Sequence, residues 1–359
     1  MAALSPLLDV LRLRCLEIDA RWRDIGFDYS NFPALVQDVI GDLDLTPFGR
    51  IEETIQLLAD PDVADLQRLS SFSDLYVKLF DNGRFWIEVL NWWGSDINIH
   101  DHDFAGVQFQ LAGQSLNVDY EFVEEAQHDG LAAGELMVSS AKLWRPGDRS
   151  VVEPGRKAPH NVCHIDIPTV SLLIRTHPDP AFGPQWNYFP PGIAGSYGVA
   201  TPSFRKHVQA LRLLARDSRN DFRRAFNRFC ETRTKRELLF GLVKMIDFLF
   251  DVDKVDLVRE LAERSFEDGA IVEALVFHRA IESIKHYKNT RALPWKTQLA
   301  LSIAASGTNS RQLEQIVGLL RKGGFDPGFD NPVEQIRSAS AGSVGSHIAN
   351  ALAIFDVAA

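Results

Sequence analysis

The stretch WWGSDINIHDHDFAGVQFQLAG, Trp92–Gly113, decides how the rest of the chain reads. It places Gly94, then five residues, then His100, Asp101 and His102. Side chains two positions apart on a β-strand point to one face, so both imidazoles can reach a single metal ion. Counting on by twos reaches Gln108 and Gln110. On a regular strand these are either amides on the metal-facing side or an outward, solvated pair. Further on, the segment RPGDRSVVEPGRKAPHNVCH (145–164) brings Gly147-Asp148, a Pro154-Gly155 turn and, fifty-eight residues after His102, a third histidine, His160. A single H-x-H pair is weak evidence for metal. A glycine at fixed distance, a third imidazole and a β-rich setting make it a metal site.

Outward from this stretch the texture stays β-rich. Phe85, Ile87 and Val89 alternate with Arg84, Trp86 and Glu88, and Leu116, Val118, Tyr120 and Phe122 alternate with Asn117, Asp119 and Glu121. Turn signals such as DNG (81–83) separate the runs. Many short strands with close turns predict an antiparallel barrel over residues 71–197. Trp92, Trp93 and Trp186 are expected to seal its mouth, as aromatics at such spots commonly pack into core. Residues 1–70 show helical spacing punctuated by Pro33, Pro47 and Pro61, which predicts a helical segment packing on the barrel. Residues 198–359 return to helical patterning, with Phe204, Val208, Leu211 and Ala215 on one stripe and no fixed repeat. The fold class is therefore α+β: a barrel between an N-terminal helical segment and an α-helical C-terminal domain.

The chain of 359 residues has a formal net charge of -10, which argues against binding a phosphate backbone or an anionic membrane surface. Neither a nucleic acid nor a membrane is expected as a partner. The cysteines Cys15, Cys163 and Cys230 form no CxxC pair. The first 24 residues lack a basic n-region and read as an amphipathic helix, not a signal peptide. The expectation is a reduced, cytoplasmic protein. No G-x-S-x-G, Walker A or G-x-G-x-x-G motif follows a predicted strand.

The pattern of Gly94, His100 and His102 fits the first cupin motif, G-x5-H-x-H, and residues 147–160 resemble the second. That second motif ends in Asn, and here His164 stands in its place. The usual cupin glutamate after the second histidine is absent, since Gly106 and Val107 occupy those positions. Three neutral imidazoles leave the metal's charge to be met by substrate or water. Such a face suits ferrous iron that takes an anionic substrate and then O2.

Within this class, Ser73 to Pro178 resembles the cysteine dioxygenases and related thiol dioxygenases. The resemblance is carried by LYVKLFDNGRFWIEVLNWWG (75–94), IHDHDFAG (99–106) and HNVCHIDIPTVSLLIRTHPDP (160–180). It implies Fe(II) at His100, His102 and His160. It also implies an active-site role for Tyr76 and a substrate-carboxylate role for Lys78, where the family has arginine. Ser171 matches the family's Ser-x-His-x-Tyr, but Leu173 and Arg175 stand where its histidine and tyrosine would be. The matching position lies inside the family's barrel, so Arg175 is expected to project inward and clamp an anion. Ser171 shares its face, and Gln108 and Trp92 complete the expected substrate lining. At roughly 3.3 Å per residue His164 lies about 13 Å along the strand from His160. It is therefore expected to be a catalytic neighbour of the metal and not a ligand.

The leading functional expectation is an Fe(II)-dependent oxygenase acting with O2 on a small, carboxylate-bearing substrate. The alternatives are a non-redox metal cupin such as an isomerase, or a ligand sensor. In either setting the C-terminal helices could contact a protein partner or a second copy of the chain.

Overall fold

Leu8, Leu11, Cys15, Ile18 and Trp22 recur at spacings of three and four, the period that lines one face of a helix. They are the buried stripe of α1 (Ser5–Asp24). The computed structural model describes residues 4–69, 72–196, 201–248, 259–260, 262–264, 269–339 and 346–357. Its residues divide into two compact units. One comprises Met1–Ile97, Asp101–Val118 and Ala141–Gly183; the other comprises Asn98–His100, Asp119–Ser140 and Pro184–Ala359.

In the first unit α1 is followed by α2 (Phe32–Ile40) and by two short helical turns, α3 (Ile51–Thr54) and α4 (Pro61–Ala64). A five-stranded sheet then runs in the order β1 (Leu75–Asp81), β2 (Phe85–Trp92), β9 (Thr169–Thr176), β4 (Gly106–Ala112), β7 (Arg149–Val152). One face of this sheet, with Val77, Phe85, Ile87, Val107, Leu172 and Ile174, shares a continuous apolar core with α1 and α2. Phe32 lies between Trp22 and Phe85 in this core, with ring centroids 4.7 and 5.5 Å away.

The register fixes the opposite face. Trp86 pairs with Arg175 and Leu90 with Ser171 across β2 and β9. Gly106 pairs with Arg175, Gln108 with Leu173 and Gln110 with Ser171 across β4 and β9. Tyr76 and Lys78 of β1 pair with Leu90 and Glu88. Residues directly opposite in a ladder point the same way, so Tyr76, Lys78, Trp86, Glu88, Gln108, Gln110, Ser171 and Arg175 share one face. Leu90, Trp92, Phe104, Val152 and Leu173 form a buried apolar cluster on that side.

The remaining strands close into a barrel in the order β10 (Trp186–Phe189), β11 (Ile193–Ser196), β6 (Leu131–Trp144), β5 (Ser115–His128), β8 (Gly155–His164), β3 (His100–His102). In the second unit the helices α5 (Pro202–Asp217), α6 (Arg219–Thr232), α7 (Lys235–Phe248) and α8 (Gly269–Asn289) contribute to a core built on Phe204, Phe222, Phe226, Phe229 and Leu239. The expected stripe of Phe204, Val208, Leu211 and Ala215 is the buried face of α5. Among the described residues, no helix is long and apolar enough to cross a membrane.

Candidate metal centre

The three histidines singled out by spacing come together. His100 and His102 are carried by the three-residue strand β3, and His160 by β8. Their potential ligand atoms all lie within 4.8 Å of one another. His102 Nε2 is 3.2 Å from His160 Nε2. Two imidazole nitrogens at about 2.1 Å from one ion and at right angles are about 3.0 Å apart, so this pair is spaced to share an ion. His100 Nδ1 is 2.8 Å from the backbone oxygen of Asn98. A carbonyl only accepts, so Nδ1 carries the proton and Nε2 is left as the donor atom for a metal. Burial pushes the His160 pKa down to about 4, which keeps the ring in the neutral form that a metal needs. Donor type, spacing and protonation all fit a divalent ion.

Gly106 is one of the two positions, with Val107, where the resembled motif carries a carboxylate, and the structure leaves no room for a side chain at Gly106. A Cβ at this position would lie 2.6 Å from the Ile174 backbone oxygen and 3.1 Å from Arg175 Cβ. The close approach of β4 to β9 therefore excludes any side chain there.

Beside the histidines lies a charged cluster that stands on the inner face of the sheet. The Arg175 guanidinium carbon is 3.2 Å from the centre of the Phe104 ring and 4.3 Å from that of Trp86. Phe104 in turn packs on His102, with ring centroids 4.4 Å apart. Arg175 Nε is buried without a hydrogen-bond partner among the described residues. Burial lowers the Arg175 pKa to about 10, against the opposing influence of Glu88, Asp103 and Tyr76, so it remains a cation at neutral pH. Glu88 is 2% exposed and accepts from Trp86 Nε1 and the Tyr76 hydroxyl. Burial raises its carboxyl, with Arg175 opposing. Burial and then Glu88 raise the Tyr76 phenol, so it stays protonated.

Lys78 shares this face, but its head is already engaged: Nζ lies 2.7 Å from Asp81 Oδ2 and 4.5 Å from the centre of the Trp86 ring. Asp81 also meets His177 Nε2 at 2.9 Å. Burial pushes the Asp81 carboxyl up, but hydrogen bonds from Lys78, His177 and the Gly83 backbone, together with the Lys78 charge, hold it below the usual range.

A second polar group surrounds His164, outside the three-histidine group. Its ring stacks on Trp92 at 4.6 Å and its Nδ1 lies 3.0 Å from Ser115 Oγ. Trp92 Nε1 donates to Ser171 Oγ at 3.3 Å, so those two expected lining residues are bonded to each other. Gln110 is turned back on its own turn, donating to the carbonyls of Ala112 and Gly113, and Gln108 is half-buried. Trp92 and Trp186 are buried, whereas Trp93 is 47% exposed. Cys163 is fully buried on the strand face opposite His160 and His164. Glu88, Trp86, Phe104, Asn98 and Ser115 also shape this region, beyond the residues expected from the sequence. Of these, Trp86 and Glu88 had a signal, because they alternate in phase with Leu90 and Trp92.

No protein-family model matches the chain, and no curated protein does. Among solved structures, hydroquinone 1,2-dioxygenase from Sphingomonas sp. TTNP3 is 12% identical over 31% of this chain and 70% of its own, with a TM-score of 0.24. A sugar phosphate isomerase of the cupin superfamily from Silicibacter pomeroyi is 18% identical over 32% of this chain and 62% of its own, with a TM-score of 0.22. A protein with a double-stranded β-helix domain from Klebsiella pneumoniae is 15% identical over 37% of this chain and 93% of its own, also with a TM-score of 0.22. The chain's own topology and donor set define an antiparallel β-barrel in a chain that also carries N-terminal and C-terminal helices, with a three-histidine group able to hold a metal.

Proposed function

We propose that this chain is a non-heme, Fe(II)-dependent oxygenase that adds oxygen from O2 to a small, carboxylate-bearing substrate. The observation that carries this reading is the donor set, three imidazoles gathered within 4.8 Å in a group that holds no carboxylate. When bound at His100, His102 and His160, ferrous iron would supply the redox chemistry with O2.

The chain's own residues bind and orient. Arg175 offers its guanidinium to the substrate carboxylate. The Phe104 and Trp86 rings restrict the guanidinium's position, and a planar fork suits a bidentate anion. Tyr76, on the same sheet face and held by Glu88, keeps its proton at Oη and acts as a hydrogen-bond donor. Lys78 is the weaker candidate for a carboxylate, since Asp81 already pairs with it. Ser171 and Trp92 support the His164 side of the wall and orient it. A cytoplasmic location goes with this reading, because ferrous iron and cysteines held as thiols both call for a reducing compartment.

The test is oxygen uptake by protein loaded anaerobically with Fe(II) and mixed with a panel of small thiols, amino acids and other carboxylates. At least one acid should drive uptake that the His160→Ala variant lacks. Absence of uptake across the panel, or equal uptake by the variant, counts against oxygenase chemistry.

A further inference from the structure

The helical region of the second unit reaches the segment that carries His100. Lys285, near the end of α8, is 5% exposed. Its Nζ donates to Glu282 Oε1 at 3.0 Å, a contact along its own helix. A lysine paired only in this way would ordinarily keep its head in water. Here the ammonium is buried, and it makes a second bond of 2.8 Å to Asn98 Oδ1. Asn98 is the residue whose backbone oxygen faces His100 Nδ1 at 2.8 Å. The same short segment is tied down on β10, where Tyr188 N donates to Ile99 O at 2.9 Å and Asn187 pairs with His100. Desolvating an ammonium is costly, so its partners must be held in place, and they are fixed by it in turn.

We propose that Lys285 is a positioning residue of the metal centre: by holding the Asn98 side chain it fixes the carbonyl that sets the ring of His100. The helical region then takes part in metal binding through α8. Partners of this kind behind a metal-ligating histidine commonly change metal affinity about 10- to 100-fold when removed. This inference rests on the three-histidine site holding an ion, and its test separates the two.

The probe is Co(II), titrated against a chromophoric chelator with the full-length chain. Lys285→Met should weaken Co(II) binding about 10- to 100-fold. Lys142→Met, the same change at an exposed lysine beside Asp148, should leave it within about twofold of wild type. Asn98→Ala removes the Oδ1 acceptor but keeps the backbone carbonyl, and it should reproduce the Lys285→Met loss. The double variant should lose no more than either single one, because both break one linkage. Wild-type affinity in Lys285→Met, or additive losses in the double variant, overturns the proposal. Should Lys285→Met fail to fold, the affinity of Asn98→Ala decides by the same criterion. A wild-type chain that binds no Co(II), or a His160→Ala variant that binds it equally well, would instead overturn the underlying site.

Discussion

The His102→Ala protein should leave dialysis without metal, whereas wild type should retain one ion per chain. The size of the effect follows from the donor set. His102 and His160 face each other at 3.2 Å through their Nε2 atoms, so deleting either imidazole leaves two donors and an open, water-filled side. Loss of a mere supporting partner costs about 10- to 100-fold in metal affinity, so loss of one of three ligands should exceed a hundredfold. Gly106 cannot be recruited as a substitute, because there is no room for a side chain between β4 and β9. His164→Ala is the informative control. That ring is engaged by Trp92 and Ser115, outside the three-histidine group, so its removal should leave stoichiometry unchanged. Metal analysis after dialysis reads both results. If His164→Ala empties the protein as fully as His160→Ala does, the third ligand has been assigned to the wrong histidine.

Arg175→Ala should weaken binding or turnover of a carboxylate substrate at least about a hundredfold, since removing one member of a buried charge pair costs about 3–5 kcal/mol. The guanidinium lies against Phe104, which itself packs on His102, so an anion held there is one ring away from the metal ligands. Arg175→Lys should restore only part of the loss, because a point charge replaces a planar fork. Lys78→Ala should have the smaller effect, as its ammonium is already committed to Asp81. The measurement compares a carboxylic acid with its amide analogue in wild type and in each variant. Arg175→Ala should erase the preference for the acid. An unchanged preference would place the carboxylate elsewhere.

The parts of this site that could be seen in the sequence are those governed by local periodicity. Strand alternation puts His100 and His102 on one face whatever the rest of the chain does. The same parity places Ser171 and Arg175 together, and the ladder carries both to the face shared with Tyr76 and Glu88. Alternation does not reveal which face is wet. Here one side of the sheet is covered by α1 and α2 and the other forms the buried cluster around Trp92 and Phe104. A charged residue on the more polar side, Glu88, therefore ends up 2% exposed. Lys78 was visible as a candidate carboxylate binder, but its engagement by Asp81 was not: strict alternation does not foresee the register shift of β1 between Lys78 and Phe80 or the ion pair beside it. Lys285 had no local signal at all. Its partner Asn98 lies 187 residues earlier, and only the packing of α8 joins them. That Gly106 and Val107 stand where the resembled motif has glutamate was visible in the sequence, but the lack of room at Gly106, with a backbone oxygen 2.6 Å from any Cβ, needed the neighbouring strand.

Whether His100, His102 and His160 together hold one iron is addressed directly by X-ray absorption at the iron edge of the Fe(II)-loaded, substrate-free protein. The expected spectrum shows imidazole multiple scattering from three rings, with a first shell of nitrogen and oxygen at about 2.0–2.2 Å by analogy with other imidazole-bound metals. In His160→Ala, any iron that stays should show scattering from fewer rings. Iron bound by the wild-type chain with no imidazole scattering, or with a ring count that His160→Ala leaves unchanged, would contradict the three-histidine centre.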